Sequence, residues 1–190
     1  PLYLVDPRRT LYKREPKLKV YPVTVVNLLG KYGDFEVDSD SDGLADGWTD
    51  LNANWSFSIV DGRQRITSRT TGTSYNEACY HQITASFNAK IFVKATVQRT
   101  RTDFGDRAVI LFVYDNGFKN IYIPFYFDDT TNLQTKCSSF SLENTTRFDI
   151  KLRPFGAFSA QVLTFTSYTD FDNIIAVDLT SMGVLPPPLK

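Results

Sequence analysis

The sequence predicts an all-β sandwich. Three observations carry that expectation: runs rich in Val, Ile, Phe, Tyr and Thr, turn residues separating them at spacings of about ten, and no helical periodicity. With 190 residues the chain is long enough to close one core and short enough to make one domain with extensions the simplest reading. The expected strands are 56–60 and 63–68 around the Asp61-Gly62 turn, then 77–84, 91–99, 107–114, 119–127, 137–142, 147–153, 161–166 and 173–180. Asn116-Gly117, between two apolar runs, is the strongest hairpin signal. Alternation at Ile91, Val93, Ala95 and Val97, and again at Val109, Leu111 and Val113, predicts strands that bury one face and leave the other to solvent or a ligand.

The ends read differently. Residues 1–26 contain Pro7, Pro16 and Pro22 and no glycine, so they are expected as an extended arm laid over another surface. Residues 182–190 end in a short Pro-rich tail unable to pair in a sheet, which leaves 27–181 as the folded domain. The 21 basic and 21 acidic side chains balance, so neither nucleic acid nor an anionic membrane is expected as partner. Their placement is uneven: Arg8, Arg9, Lys13, Arg14, Lys17 and Lys19 lie in the arm, whereas 34–50 holds seven acids and no base.

That acidic segment carries the clearest chemistry. Asp38, Asp40, Asp42 and Asp46 occupy positions 1, 3, 5 and 9 of a loop with Gly43 at the bend and the Leu44 carbonyl at position 7. Calcium takes six to eight oxygens, and this spacing wraps alternate side chains around one ion. Position 12 of an EF-hand would be Glu, and here it is Thr49, which disfavours a calcium sensor. The plainer alternative is a solvated acidic turn. Four aspartates this close repel one another without a cation, which favours the ion.

Residues 27–48, NLLGKYGDFEVDSDSDGLADGW, resemble the opening of jelly-roll carbohydrate-binding modules of the xylan- and glucan-binding type. The likeness continues through Cys79-Tyr-His-Gln-Ile83, Lys90-Ile-Phe-Val-Lys-Ala-Thr-Val97 and Asp170-Phe-Asp-Asn-Ile174, over about 27–181. The resemblance implies a jelly-roll β-sandwich of the galactose-binding-like kind, found also in phage tail and capsid-surface proteins. It further implies a second calcium held by Glu36 and Asp172; Glu36 capping backbone donors is the alternative. Ligand-facing aromatics would be Trp55, Tyr75, Tyr80, Tyr114, Tyr122 and Tyr126, with Gln82, His81 and Arg99 bonding hydroxyls.

Catalysis finds little support. His81, the only histidine, lies in an expected strand and there is no Gly-x-Ser-x-Gly turn, which disfavours a nucleophilic triad; a glycosidase needs only two carboxylates, but the clustered acids here already have a metal-binding spacing. Arg63, Arg65 and Arg69 read as a solvated strand edge. Cys79 and Cys137 are too few for a four-ligand zinc site and read as buried thiols, with a disulfide as the alternative. No stretch has the roughly 18–20 apolar residues that span a bilayer, and no signal-peptide pattern opens the chain. Together with Pro1, the residue exposed by removal of an initiator Met, and the basic arm, this points to a non-catalytic virion structural protein. It would be a phage capsid decoration or tail component at the virion surface, homo-oligomeric, gripping other virion subunits through residues 1–26 and contacting host glycans. The alternative, supported by the resemblance, is an extracellular carbohydrate-binding module of a secreted polysaccharide-degrading enzyme.

Overall fold

The structure, a computed structural model, describes residues 25–51, 53, 55–68, 77–99, 107–128, 131–156 and 168–182. Its strands are β1 (Thr49–Asp50), β2 (Trp55–Val60), β3 (Arg63–Ser68), β4 (Cys79–Thr84), β5 (Lys90–Arg99), β6 (Arg107–Asp115), β7 (Asn120–Phe127), β8 (Gln134–Ser141), β9 (Arg147–Gly156) and β10 (Tyr168–Asp178). A 3₁₀ turn over Gly30–Gly33 precedes them.

The strands form two antiparallel five-stranded sheets, sheet A in the order β1-β4-β9-β6-β7 and sheet B in the order β2-β3-β10-β5-β8. Successive strands from β4 to β10 pass back and forth between the sheets, except for the β6–β7 hairpin at Asn116-Gly117. This is the expected jelly-roll sandwich. Its core lies between the sheets: Ile66, Ile91, Val93, Phe171 and Ala176 from sheet B face Ile83, Ile110, Phe112, Phe148 and Ile150 from sheet A, all essentially buried. The Phe112 ring meets Phe140 of the opposite sheet at 5.0 Å between centroids, and Phe140 meets Phe148 edge-on at 5.6 Å.

Several expectations change. Alternation on β6 predicted one wet face, yet every residue from Ala108 to Tyr114 is buried: Ile110 and Phe112 face the core, and Val109, Leu111 and Val113 form a separate apolar cluster on the other side. β10 begins at Tyr168, not at 173, and Asp170 and Asp172 within it pair with arginines of β3. β8 likewise starts at Gln134. The expected 161–166 strand, the tail from 183 and the arm up to residue 24 lie outside the described residues.

The segment before β1 is tied down at both ends. Leu28 N–H donates to the Ala176 carbonyl at 2.7 Å, and Ala176 N–H donates to Asn27 Oδ1 at 3.0 Å. Gly33 lies against the Ile174 carbonyl with no room for a side chain. Further on, buried Gln64 of β3 spans the gap: its Oε1 accepts Ala45 N–H at 2.8 Å and its Nε2 donates to the Gly43 carbonyl at 3.0 Å. Gln64 thereby acts as a peg holding the acidic loop on sheet B.

Both cysteines are free. Cys79 is buried in β4 and Cys137 is exposed on β8, in different sheets, so the disulfide alternative drops out and only one of the two is a buried thiol. Burial pushes the Cys79 thiol well above its ordinary range. Native protein treated with a thiol reagent should label Cys137 rapidly and Cys79 only on unfolding; prompt labelling of both would contradict this packing. Gln64→Leu should cost about 1–3 kcal/mol in denaturant unfolding, because Ala45 N–H and the Gly43 carbonyl lose their buried partner.

Candidate functional site

The period-two geometry of sheet A fixes what its outward face presents. Tyr80 pairs with Lys151, Leu111 with both Lys151 and Pro124; Gln82 pairs with Asp149, and Val113 with both Asp149 and Tyr122. Three parallel rows result. β9 contributes Arg147, Asp149, Lys151 and Arg153; β6 contributes the closed-off floor Val113, Leu111 and Val109; β7 contributes Tyr122, Pro124 and Tyr126. Tyr122 is 59% exposed and Tyr126 37%. Two positions four apart on a strand are about 13 Å apart, so these rings can flank an extended ligand. The Arg107 guanidinium lies 5.9 Å from the Tyr126 ring centroid.

At the Asn116-Gly117 end of this face opens a cleft of about 430 Å³ lined by Gln82, Asp115, Asn120, Asn144, Arg147 and Asp149, among others. Amides, carboxylates and a guanidinium beside an exposed tyrosine are the groups that bond sugar hydroxyls next to a stacking ring. Both acids already have partners: Asp115 Oδ1 accepts Gly117 N–H at 2.8 Å, and Asp149 Oδ1 accepts the Gln82 amide at 3.3 Å.

The expected glycan residues divide accordingly. Tyr80, Gln82, Tyr122 and Tyr126 share the outward face of sheet A. Trp55 is only 1% exposed and Tyr114 5%, so both are core residues; the Tyr114 hydroxyl donates to the Ser141 carbonyl at 3.1 Å. Neither ring can stack on a ligand, because alternation turns each toward the interior. Arg99 is buried as well, and Tyr75 lies outside the described residues. His81 points inward too: its Nδ1 lies 2.6 Å from the Gly47 carbonyl, and its ring packs by Tyr32 and Trp48 at 5.3 and 5.6 Å. Asp115, Asn120, Asn144, Arg147 and Asp149 were missed. The hairpin signal at Asn116-Gly117 could have located Asp115 and Asn120, whereas Asn144, Arg147 and Asp149 join them only through the β6–β9 pairing.

In the acidic loop, carboxylate oxygens of Asp38, Asp40 and Asp42 lie within 4.8 Å of one another. Oxygens ligating one calcium at about 2.4 Å can be at most about 4.8 Å apart, so the cluster fits such an ion. Asp38 Oδ2 accepts Gly43 N–H at 3.0 Å, while Oδ1 is buried with no hydrogen-bond partner among the described residues. Asp42 Oδ1 accepts Leu44 N–H at 2.7 Å. Ser41 and Gly43 adopt left-handed backbone, φ 61° and 87°, which curls the loop around its carboxylates. Asp46 departs from the expected ligand set. Its Oδ1 accepts the Ser39 N–H at 2.9 Å and the Ser39 hydroxyl at 3.0 Å, and the backbone bond foremost holds its carboxyl below the usual range. Leu44 anchors the loop by its buried side chain.

The second expected calcium position is differently furnished. The Arg63 guanidinium lies 3.7 Å from Asp172, supplying the positive charge that an ion would bring, and the Glu36 side chain is exposed with its stem near Gly62. Alongside, Arg65 grips Asp170 through two bonds of 2.8 and 2.9 Å and stacks at 3.6 Å on the Tyr168 ring. Arg63 and Arg65 are therefore committed to acids of β10 rather than left as a solvated edge; Arg69 lies outside the described residues.

No family model matches the chain, and no curated protein matches it. Solved structures do. A structure reported as "CBM4 structure and function" superposes with a TM-score of 0.54 at 15% identity, covering 77% of this chain and 97% of that one. An arabinose-bound α-L-arabinofuranosidase, MgGH51, superposes with a TM-score of 0.53 at 9% identity, over 80% of this chain and 26% of that one. At such identities the likeness is one of fold: this chain has the jelly-roll sandwich seen in carbohydrate-binding modules.

Proposed function

We propose that residues 27–181 form a non-catalytic binding module that lays a polysaccharide along the outward face of sheet A. The carrying observation is the exposed Tyr122-Pro124-Tyr126 row leading to the polar cleft around Asn120, Asn144 and Arg147. Non-catalytic binding is supported by the structural partners of both cleft carboxylates and by the turn-holding contact of the sole histidine. An extracellular site of action follows from such a ligand.

Calcium belongs to this reading as a structural cofactor held by Asp38, Asp40 and Asp42, where it would satisfy the buried Asp38 Oδ1 and fix the loop joining the 3₁₀ turn to β1. An ion bound only by the folded state raises stability by mass action. Melting with calcium should therefore exceed melting with a chelator by several degrees, and Asp38→Asn should abolish the difference. Identical melts would remove calcium from the reading.

Assembly into a virion, with residues 1–26 gripping neighbouring subunits, is the second reading. It is supported by the basic, proline-punctuated arm and by Val25 and Val26 at its root, each 61% exposed. Deleting residues 1–26 should then convert an oligomer into a monomer in sedimentation, and an unchanged distribution would count against it.

The glycan reading is checked by calorimetry on a panel of polysaccharides. A stacked ring contributes on the order of 1 kcal/mol, so Tyr122→Ala and Tyr126→Ala should each weaken binding about fivefold without lowering the melting temperature. Trp55→Ala would instead unfold the core and say nothing about a ligand. Silence across the panel would overturn the proposal.

A further inference from the structure

The outward face of β9 gives the proposed ligand a charge. Of its four described outward side chains, Arg147, Lys151 and Arg153 are cationic and only Asp149 is acidic. Arg153 is neutralised by Glu77 at 2.7 Å, and Asp149 is occupied by the Gln82 amide at 3.3 Å. Among the described residues, Lys151 and Arg147 form no ion pair.

Lys151 stands mid-face. Its register partners are Tyr80 on one side and Leu111 on the other, with Pro124 beyond, so the ammonium rises from a phenol-edged, apolar-floored row. Arg147 is on the same strand face about 13 Å away and lines the cleft. On sheet B, Arg63 and Arg65 are spent on Asp172 and Asp170 and Lys136 on Asp128 at 2.7 Å, whereas Lys94 on that face has no ion pair among the described residues. Lys151 and Arg147, without an ion pair among the described residues although Lys151 also feels the Glu77 carboxylate, therefore share a face with the exposed tyrosines of β7.

We propose that the occupant of this face is an acidic polysaccharide, its sugar rings against Tyr122, Pro124 and Tyr126 and its carboxylate or sulfate groups on Lys151 and Arg147. This rests on the glycan-binding reading above and adds the ligand's charge. Cations set beside a stacking row give an anionic chain both steering at a distance and a fixed lateral register.

The test compares binding of the full chain to polygalacturonate, its methyl-esterified form, a sulfated galactan, a neutral xylan and polyglutamate. Polygalacturonate or the sulfated galactan should bind, with affinity falling as salt rises from about 50 to 500 mM. Binding should weaken about tenfold in Lys151→Gln and severalfold in Arg147→Gln, while Lys94→Gln on the outward face of sheet B has no effect. Whichever of the two acidic glycans binds better identifies the carboxylate or the sulfate as the anion. Melting curves for each variant, expected to be unchanged, separate lost binding from lost fold. Equal binding of the acid and its methyl ester, equal binding of polyglutamate, or indifference to Lys151→Gln would overturn the inference. Tyr122-dependent binding of the xylan alone would overturn it and leave the glycan-binding proposal standing, whereas silence toward every polysaccharide would end both.

Discussion

Everything distinctive about this molecule depends on the contact between the inward faces of its two sheets. Phe140 of β8 reaches across to Phe112 and Phe148 of sheet A, and Trp55, Ile66 and Phe171 fill the rest of that layer from sheet B. Burying a large aromatic side chain is worth a few kcal/mol, so the inward set is far more strongly specified than the outward one. Because side chains alternate with a period of two, fixing the inward set fixes the outward set with no further energetic requirement. The tyrosine row and the cationic row of sheet A are thus free to serve a ligand.

The two outward faces differ. Sheet B closes its acids and arginines on themselves: Arg65 lies between Asp170 and the Tyr168 ring, and Arg63 reaches Asp172 and, at 2.9 Å, the Gln98 amide. Arginines satisfied in this way have little left to offer a partner. Sheet A instead carries a dry strip of Val109, Leu111 and Val113 beside partly exposed tyrosines and the β9 cations. Strand β6, buried on both faces, is what a sheet needs where its outer side carries tall neighbours rather than water.

The acidic loop is held from outside itself. Gln64 fastens its backbone from β3, and His81, wedged by Tyr32 and Trp48, fastens Gly47 from β4, so the loop bridges both sheets. Those anchors bring three carboxylates together in an arrangement whose mutual repulsion the fold must bear or a cation must relieve.

Much of this was legible in the residues. Alternation gave β5 its inward face, Asn116-Gly117 gave the hairpin, and the Asp-x-Asp-x-Asp-Gly run gave the carboxylate cluster, because each is a local pattern with a local cause. Trp55 and Tyr114 could not be separated from Tyr122 and Tyr126 in the same way: a tyrosine on an alternating strand faces the core or a ligand according to which sheet lies above it. The acids of β10 are borne in a strand because arginines of β3, more than a hundred residues earlier, neutralise them. Asp149 and Arg147 join Gln82 and Asn120 only because β9 lies between β4 and β6. By itself the sequence determined most of the described strands, their turns and the acidic loop, whose causes act over a few residues. Tertiary structure alone decided which side of each strand is the surface, because burial is a property of sheets paired across the whole chain.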